Sequence, residues 1–298
     1  MIGWFKRPIM RDDWKENGPI VIAGMGGSGT RLVAEIISLF GIFLGDDLNI
    51  ASDNLLYTLL FRRKTWFYKS VRNKDRIQTG LSVLEKLLLK EYKLTIQEIW
   101  FLLYAGTDMT LHYRDQKSWS LERLMKIIKQ SRFKDPQYKG WGWKEPNSYL
   151  ILEDLIDHFD SLKFIHTIRH GADMAFSKNQ RQLRAWGELF GIPLIENELP
   201  RASLKFWAKA NQAAADMGQT LGPDRYLQVN FDLLCQEPEQ IIDKIIAFLD
   251  LDIDQKTYQA AIKLPKIPSS QGRYKMHDLS ELDSNDLRIV ESFGFTVE

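Results

Sequence analysis

The chain has 298 residues, enough for one large α/β domain or two small ones with a full hydrophobic core, and its 44% hydrophobic and 27% charged residues exclude a disordered polymer. A net charge of +1 argues against a nucleic-acid or membrane-surface partner, which requires a basic face. The lone Cys235 rules out an intrachain disulfide and no cluster has zinc-site spacing, so the expected compartment is the reducing cytoplasm.

The opening residues MIGWFKRPIMRDDW are charged and aromatic, unlike a signal peptide, and no run reaches the roughly 18 apolar residues that cross a bilayer. After a turn at Asn17-Gly18-Pro19, Ile20 to Gly24 is continuous and β-branched, as in a strand buried on both faces of a parallel sheet. A glycine-rich turn follows. Leu32, Val33, Ile36, Ile37 and Phe40 then fall at helical spacing, predicting a helix from about Thr30 to Phe40. Residues from about 53 to 131 read as amphipathic helices without a good strand. The β/α rhythm returns with a strand over Trp141–Lys144, a helix near Tyr149 to Phe159, a strand over Leu162–Ile168 and a long helix after Gly171. A helix over about Leu199–Leu221, a strand over Tyr226–Val229 and a helix from about Glu239 to Leu249 follow. This alternation predicts an α/β fold: a parallel β-sheet flanked by helices, with its ligand at the carboxyl ends of the strands.

The turn Gly24-Met25-Gly26-Gly27-Ser28-Gly29-Thr30-Arg31 has the composition of a phosphate cradle, since glycines let backbone N–H groups converge and the next helix adds its positive end. A tight turn with no ligand is the plain alternative. A Walker A loop needs Lys then Ser/Thr after its last glycine, and Thr30-Arg31 stand there instead, which disfavours ATP or GTP chemistry. A dinucleotide fingerprint fits Gly24, Gly26 and Gly29, with Asp46 or Asp47 about 20 residues on, and would make the chain an NAD(P)-linked oxidoreductase. Downstream, Arg169 closes a strand and Ser177 lies eight residues later. A guanidinium fork and a hydroxyl on rigid elements suit a phosphate, whereas a pairing of Arg169 with Asp173 is the plain structural reading. Trp141, Trp143, Trp186 and Trp207 are expected in the core.

Five segments in order resemble the PAPS-dependent sulfotransferase family, in its bacterial-type branch; PAPS is 3′-phosphoadenosine 5′-phosphosulfate. They are the Gly24 to Thr30 loop, Lys144-Glu145-Pro146, the Arg169 to Ser177 stretch, Val229-Asn230-Phe231-Asp232-Leu233 through Pro238, and Ser270-Gln271-Gly272-Arg273-Tyr274-Lys275. The resemblance implies a P-loop-like core in a single domain over residues 1–298, with a helical insertion over about 50–135. It implies a transferase that moves a sulfuryl group from PAPS to a hydroxyl or amine of a small-molecule or carbohydrate acceptor, without a metal. Gly26, Gly27, Ser28, Gly29, Thr30 and Arg31 would hold the 5′-phosphosulfate, and Arg169, Ser177, Arg273 and Lys275 the 3′-phosphate. Phe231 would pack near adenine and Lys144 would meet the sulfuryl oxygens. The chain departs from the family at three points. His170-Gly171 replaces an acidic-or-amide and proline pair, Gly27 stands where the loop cation is usual, and Pro146 stands where some members carry a histidine base. Arg31 is the candidate replacement cation and Asp47 the candidate base, ahead of His112 and His166. Loss of both usual groups also fits a non-catalytic nucleotide-binding module.

Overall fold

The computed structural model describes residues 18–70, 73–91, 93–107, 116–130 and 138–297; His112 lies outside them. Its centre is strand β1 (Ile20–Gly24), every residue of which is buried. The chain continues through α1 (Thr30–Leu39) to the two-residue strand β2 (Ile42–Phe43). Then come α2 (Leu55–Phe61), α3 (Lys64–Ser70), α4 (Lys74–Leu88), α5 (Ile96–Thr107) and α6 (Gln116–Gln130). Strand β3 (Gly140–Lys144), a 3-10 turn at Pro146–Ile151, α7 (Leu152–His158) and β4 (Lys163–Ile168) follow. The remainder is α8 (Gly171–Ala175), α9 (Arg181–Trp186), α10 (Leu199–Gln219), β5 (Tyr226–Asn230), α11 (Phe231–Gln236), α12 (Pro238–Leu249), α13 (Gln255–Ala261) and α14 (Ser284–Ser292). Among the described residues no helix is long and apolar enough to cross a membrane.

The sheet has five strands in the order β2-β3-β1-β4-β5, all parallel. Strand alternation divides the core in two. Val21 and Ala23 join Trp141, Trp143, Phe164 and Trp207 on one face, while Ile20 and Ile22 join Ile165, Val229, Ile36 and Ile242 on the other. A sheet covered on both faces needs strands apolar on both, which is why β1 reads as an unbroken apolar run. The chain leaves β1 toward β2 on one side and leaves β4 toward β5 on the other, so the carboxyl ends of β1 and β4 border a topological switch point.

The expected long helix after Gly171 is instead the short α8, then a break, then α9. The cause is Gln180, whose buried side-chain amide donates to the carbonyls of Met174, Ala175 and Ser177 at 3.2, 3.2 and 2.7 Å and so satisfies the helix end from the side. Strand β2 was not expected either, because two residues carry no periodicity.

His166 lies inside the core of β4. Asn211 donates through Nδ2 to the Trp207 carbonyl, which turns its Oδ1 toward His166 Nε2 at 3.0 Å, while the Tyr226 hydroxyl donates to Nδ1 at 2.9 Å. The ring is therefore held neutral, and burial depresses its pKa to about 4. The unfolded chain binds this proton near the ordinary value and the folded chain does not, so stability is complete above about pH 6.5 and falls as pH drops toward 4. Chemical denaturation is expected to show about 3 kcal/mol lost to this group across that window, a slope that His166→Gln flattens. Gln180→Leu takes the side-chain donor from the carbonyls of Ala175 and Ser177, while Met174 keeps the Ser177 N–H at 3.1 Å, and the same assay should show a loss of about 2 kcal/mol at all pH values.

Candidate active site

Parallel pairing of β1 with β4 sets Gly24 opposite Thr167, so the glycine turn and Arg169 leave the sheet side by side. The turn closes with Ser28 N–H donating to the Met25 carbonyl at 2.9 Å. Gly29 then enters α1 in the left-handed region at φ 92°, with no side chain capping the helix and no acid in its first turn. Its positive end therefore faces the turn uncompensated. A Cβ on Gly29 would lie 2.0 Å from the Phe231 ring. The aromatic side chain at the start of α11 thus packs directly against the turn.

Arg169, 8% exposed, reaches across this ground. Its Nη1 lies 3.5 Å from the Gly27 carbonyl, its Nη2 donates to Ser270 Oγ at 2.8 Å, and its guanidinium sits 5.4 Å from the Phe231 ring centre. Asp173 is 4.0 Å away, at the edge of an ion pair. That carboxylate instead accepts the backbone N–H groups of Gly272 at 2.8 Å and Tyr274 at 3.1 Å, which ties the basic loop to α8. The Trp207 indole donates to the Arg169 carbonyl at 3.0 Å and holds the strand end from beneath. The Ser28 hydroxyl and Arg169 Nε are both buried without a hydrogen-bond partner. Two polar groups left short at one cradle fit an anion with several acceptor oxygens.

His170, where the resemblance leads one to expect an acid or amide, does the work of a helix cap. Its Nδ1 accepts from Ala172 N–H at 3.2 Å, its Nε2 donates to the Thr296 carbonyl at 3.0 Å, and its ring stacks on Tyr274. Asp232 accepts the His170 N–H at 2.9 Å, and burial raises its pKa against the pull of that bond and of Arg169.

The structure thus brings Gly27, Gly29, Arg169, Phe231 and the Ser270 loop together. Ser177 lies past the end of α8, its Oγ accepting from Asn179 N–H at 3.2 Å. Arg273 reaches the Phe176 carbonyl at 3.5 Å, and Lys275 is exposed beside Tyr274. The Arg31 side chain is 59% exposed and lies 3.7 Å from Glu35, one turn along α1. Asp47 sits between Arg123 and Lys126 at 2.8 and 2.7 Å, and Asp46 lies 3.7 Å from Lys90. Asp47, Arg123 and Lys126 line a small cleft of about 30 Å³, open to solvent, whose apolar wall includes Phe43, Leu56 and Ile127.

Lys144 ends β3 with only 2% exposure, its ammonium paired with Asp53 and donating to the Ala51 carbonyl at 2.9 Å. Asn49 folds that loop, accepting from the N–H groups of Ala51 and Asp53. Asp53 is a partner that sequence reasoning missed, because only the fold of residues 49–54 carries it to the strand end. Glu145 was missed too. It is fully buried, accepts from Asn147 N and Nδ2 at 2.7 and 2.8 Å, and lies 3.6 Å from Arg62. Burial raises its pKa, with Arg62 opposing. The four expected tryptophans are all core residues.

The family model described as "Sulfotransferase family" matches residues 19–255. The fold is similar to the sulfotransferase domain from the curacin biosynthetic pathway, at 17% identity and a TM-score of 0.54 over 94% of this chain and 99% of that one. Further likenesses are the sulfotransferase domain from the Synechococcus PCC 7002 olefin synthase (17%, TM-score 0.48, 94% and 95%) and sulfotransferase STF9 from Mycobacterium avium (12%, TM-score 0.46, 94% and 77%). Curated protein sequences give no match.

The contact between the turn and Phe231 is directly testable. Gly29→Ala is expected to destabilise the fold by about 1–3 kcal/mol through ring displacement and positive φ together. In a Phe231→Ala background the penalty should shrink to the backbone part, about 1 kcal/mol, in a double-mutant cycle by chemical denaturation.

Proposed function

Because the chain belongs to the sulfotransferase family, we propose that it transfers a sulfuryl group from PAPS to a hydroxyl or amine acceptor by in-line displacement. One observation carries the donor assignment: the uncapped glycine turn and Arg169 flank one crevice, and each holds a buried polar atom without a partner. An adenosine bisphosphate offers an anion to each. In this reading the N–H groups of Gly27, Gly29 and Thr30, with the hydroxyls of Ser28 and Thr30, take the 5′-phosphate; the Ser28 N–H is spent on the Met25 carbonyl and Gly26 shapes the turn. Arg169, Ser177, Arg273 and Lys275 take the 3′-phosphate, and Phe231 flanks the base.

PAPS supplies an activated sulfur–oxygen bond. The acceptor oxygen or nitrogen forms its bond to sulfur as the bond to the 5′-phosphate breaks, and the acceptor proton passes to a base, for which Asp47 is the candidate. Little covalent chemistry falls to the protein, so positioning and charge stabilisation carry the rate. Lys144 is assigned to the sulfuryl oxygens, with Asp53 holding its ammonium. Arg31 is the candidate for the cation missing at Gly27, and takes that role by leaving Glu35. The apolar wall and charged floor of the cleft beside Asp47 support an acceptor site there.

Calorimetric titration with adenosine 3′,5′-bisphosphate, NAD and ATP tests the donor class. Binding of the bisphosphate is expected, and binding of NAD without it would overturn the reading. Turnover of labelled PAPS over an acceptor panel then separates an enzyme from a binding module. Arg169→Ala should weaken the bisphosphate by roughly 1.5–3 kcal/mol and adenosine 5′-phosphosulfate much less; equal losses would assign Arg169 to the fold. Arg31→Ala should lower kcat on the order of 10²-fold with a far smaller effect on bisphosphate affinity. A near-neutral variant would leave Lys144 as the cation on the transferring group.

A further inference from the structure

Gly26 does not aim its N–H into the cradle. It donates to Gln182 Oε1 at 2.7 Å, 156 residues away on α9. Gln182 Nε2 donates to Asn147 Oδ1 at 2.7 Å, which also accepts from the Trp186 indole at 2.9 Å. Asn147 in turn donates through N and Nδ2 to both oxygens of the buried Glu145. The direction of every bond is forced. An indole N–H only donates, so Asn147 must turn Oδ1 toward Trp186 and Nδ2 toward the carboxylate. Gln182 must then give Nε2 to Asn147, which leaves only Oε1 for the backbone donor of Gly26. A chain of this kind, satisfied at each link, polarises along its length and fixes a single geometry.

Glu145 immediately follows Lys144, and its own N–H donates to the Ile22 carbonyl of β1 at 3.2 Å. The chain therefore spans from the strand end that carries Lys144 to the glycine turn. From this geometry we infer that Gln182 and Asn147 form a strut, anchored on Glu145, that fixes the glycine turn relative to Lys144 and makes Gln182 a positioning residue for the donor nucleotide. The last clause rests on the donor reading above. The strut places no steric demand on position 26, where a Cβ would stand at an ordinary 3.7 Å from Gln182; glycine is required instead at Gly27, whose φ is 101°.

The test uses the full chain and two substitutions at Gln182. In the ligand-free protein, Gln182→Leu should speed hydrogen exchange of the Gly26 amide roughly tenfold, the equivalent of one lost hydrogen bond, and leave the β1 amides unchanged. Gln182→Glu gives the more pointed readout. Ionised, it cannot donate to Asn147 and sets a negative charge beside the phosphate site. Protonated, it again has one acceptor and one donor in the shape of glutamine. Its dissociation constant for adenosine 3′,5′-bisphosphate should exceed that of the unaltered protein roughly tenfold or more at pH 7.5, and the gap should narrow as pH falls through the titration of the introduced carboxyl itself. An unmoved Gly26 amide, or an affinity gap that does not change with pH, would overturn the strut. Failure of the unaltered protein to bind the bisphosphate would overturn the donor reading, and with it the role in nucleotide positioning. Should Gln182→Leu fail to fold, the pH profile of Gln182→Glu decides by itself.

Discussion

The parallel ladder between β1 and β4 is the constraint from which the site follows. Five consecutive pairs, from Ile20 with Lys163 to Gly24 with Thr167, bring the last residues of both strands to the same height. Beyond them the chain must turn, and it turns in opposite directions, opening a crevice floored by backbone. Whatever stands two residues past the ladder on one strand meets whatever stands past it on the other. Here that is a guanidinium against a glycine turn. A slip of one residue would exchange the faces of β4 and take buried His166 away from Tyr226 and Asn211, so a polar contact inside the core also sets the register of the site.

Around that crevice, the polar groups are held by partners from remote parts of the chain. Trp207 on α10 holds the Arg169 carbonyl, Asp173 holds the basic loop, and Asp232 holds the N–H of His170. Each partner is buried, and a buried polar group is costly to leave unpaired, so each contact resists displacement more strongly than its net contribution to stability implies. Glu145 is the extreme case. Its charge is answered by Asn147 and by a guanidinium at 3.6 Å, contacts that tie a strand end, a 3-10 turn and α2 together. Arrangements of this kind confer specificity of conformation more than net stability.

Much of this was legible in the sequence, for identifiable reasons. Buried parallel strands are apolar on both faces, so β1 declared itself as a continuous run, and α1 through its helical spacing. Gly29 was visible as a member of the glycine turn, but the ring that demands glycine there is 202 positions away in Phe231 and left no local sign. What escaped was long-range and polar. Gln180 ends α8 by bonding to carbonyls that any helix possesses, and no local pattern announces it. Gln182, Asn147 and Asp53 take part through side chains whose partners lie 35 to 156 residues off in the chain. The His170-Gly171 pair looked like a departure from the family pattern, yet the imidazole supplies the same cap through Nδ1 that an amide or acid side chain would.

The attachment of the basic loop has a consequence for how this surface can vary. Asp173 grips residues 272 and 274 through their peptide N–H groups, which every residue except proline provides, and Gly272 makes the turn at φ 74°. The path of the segment is therefore held by α8 through its backbone and by the buried Tyr274, which stacks on His170, and not by the side chains at 271, 273 and 275. Positions 271, 273 and 275 become a rack on which different cations, amides or small residues can be hung while the backbone stays where it is. Changes of charge around the crevice can accumulate there without refolding the protein, because the anchoring bonds run through the backbone.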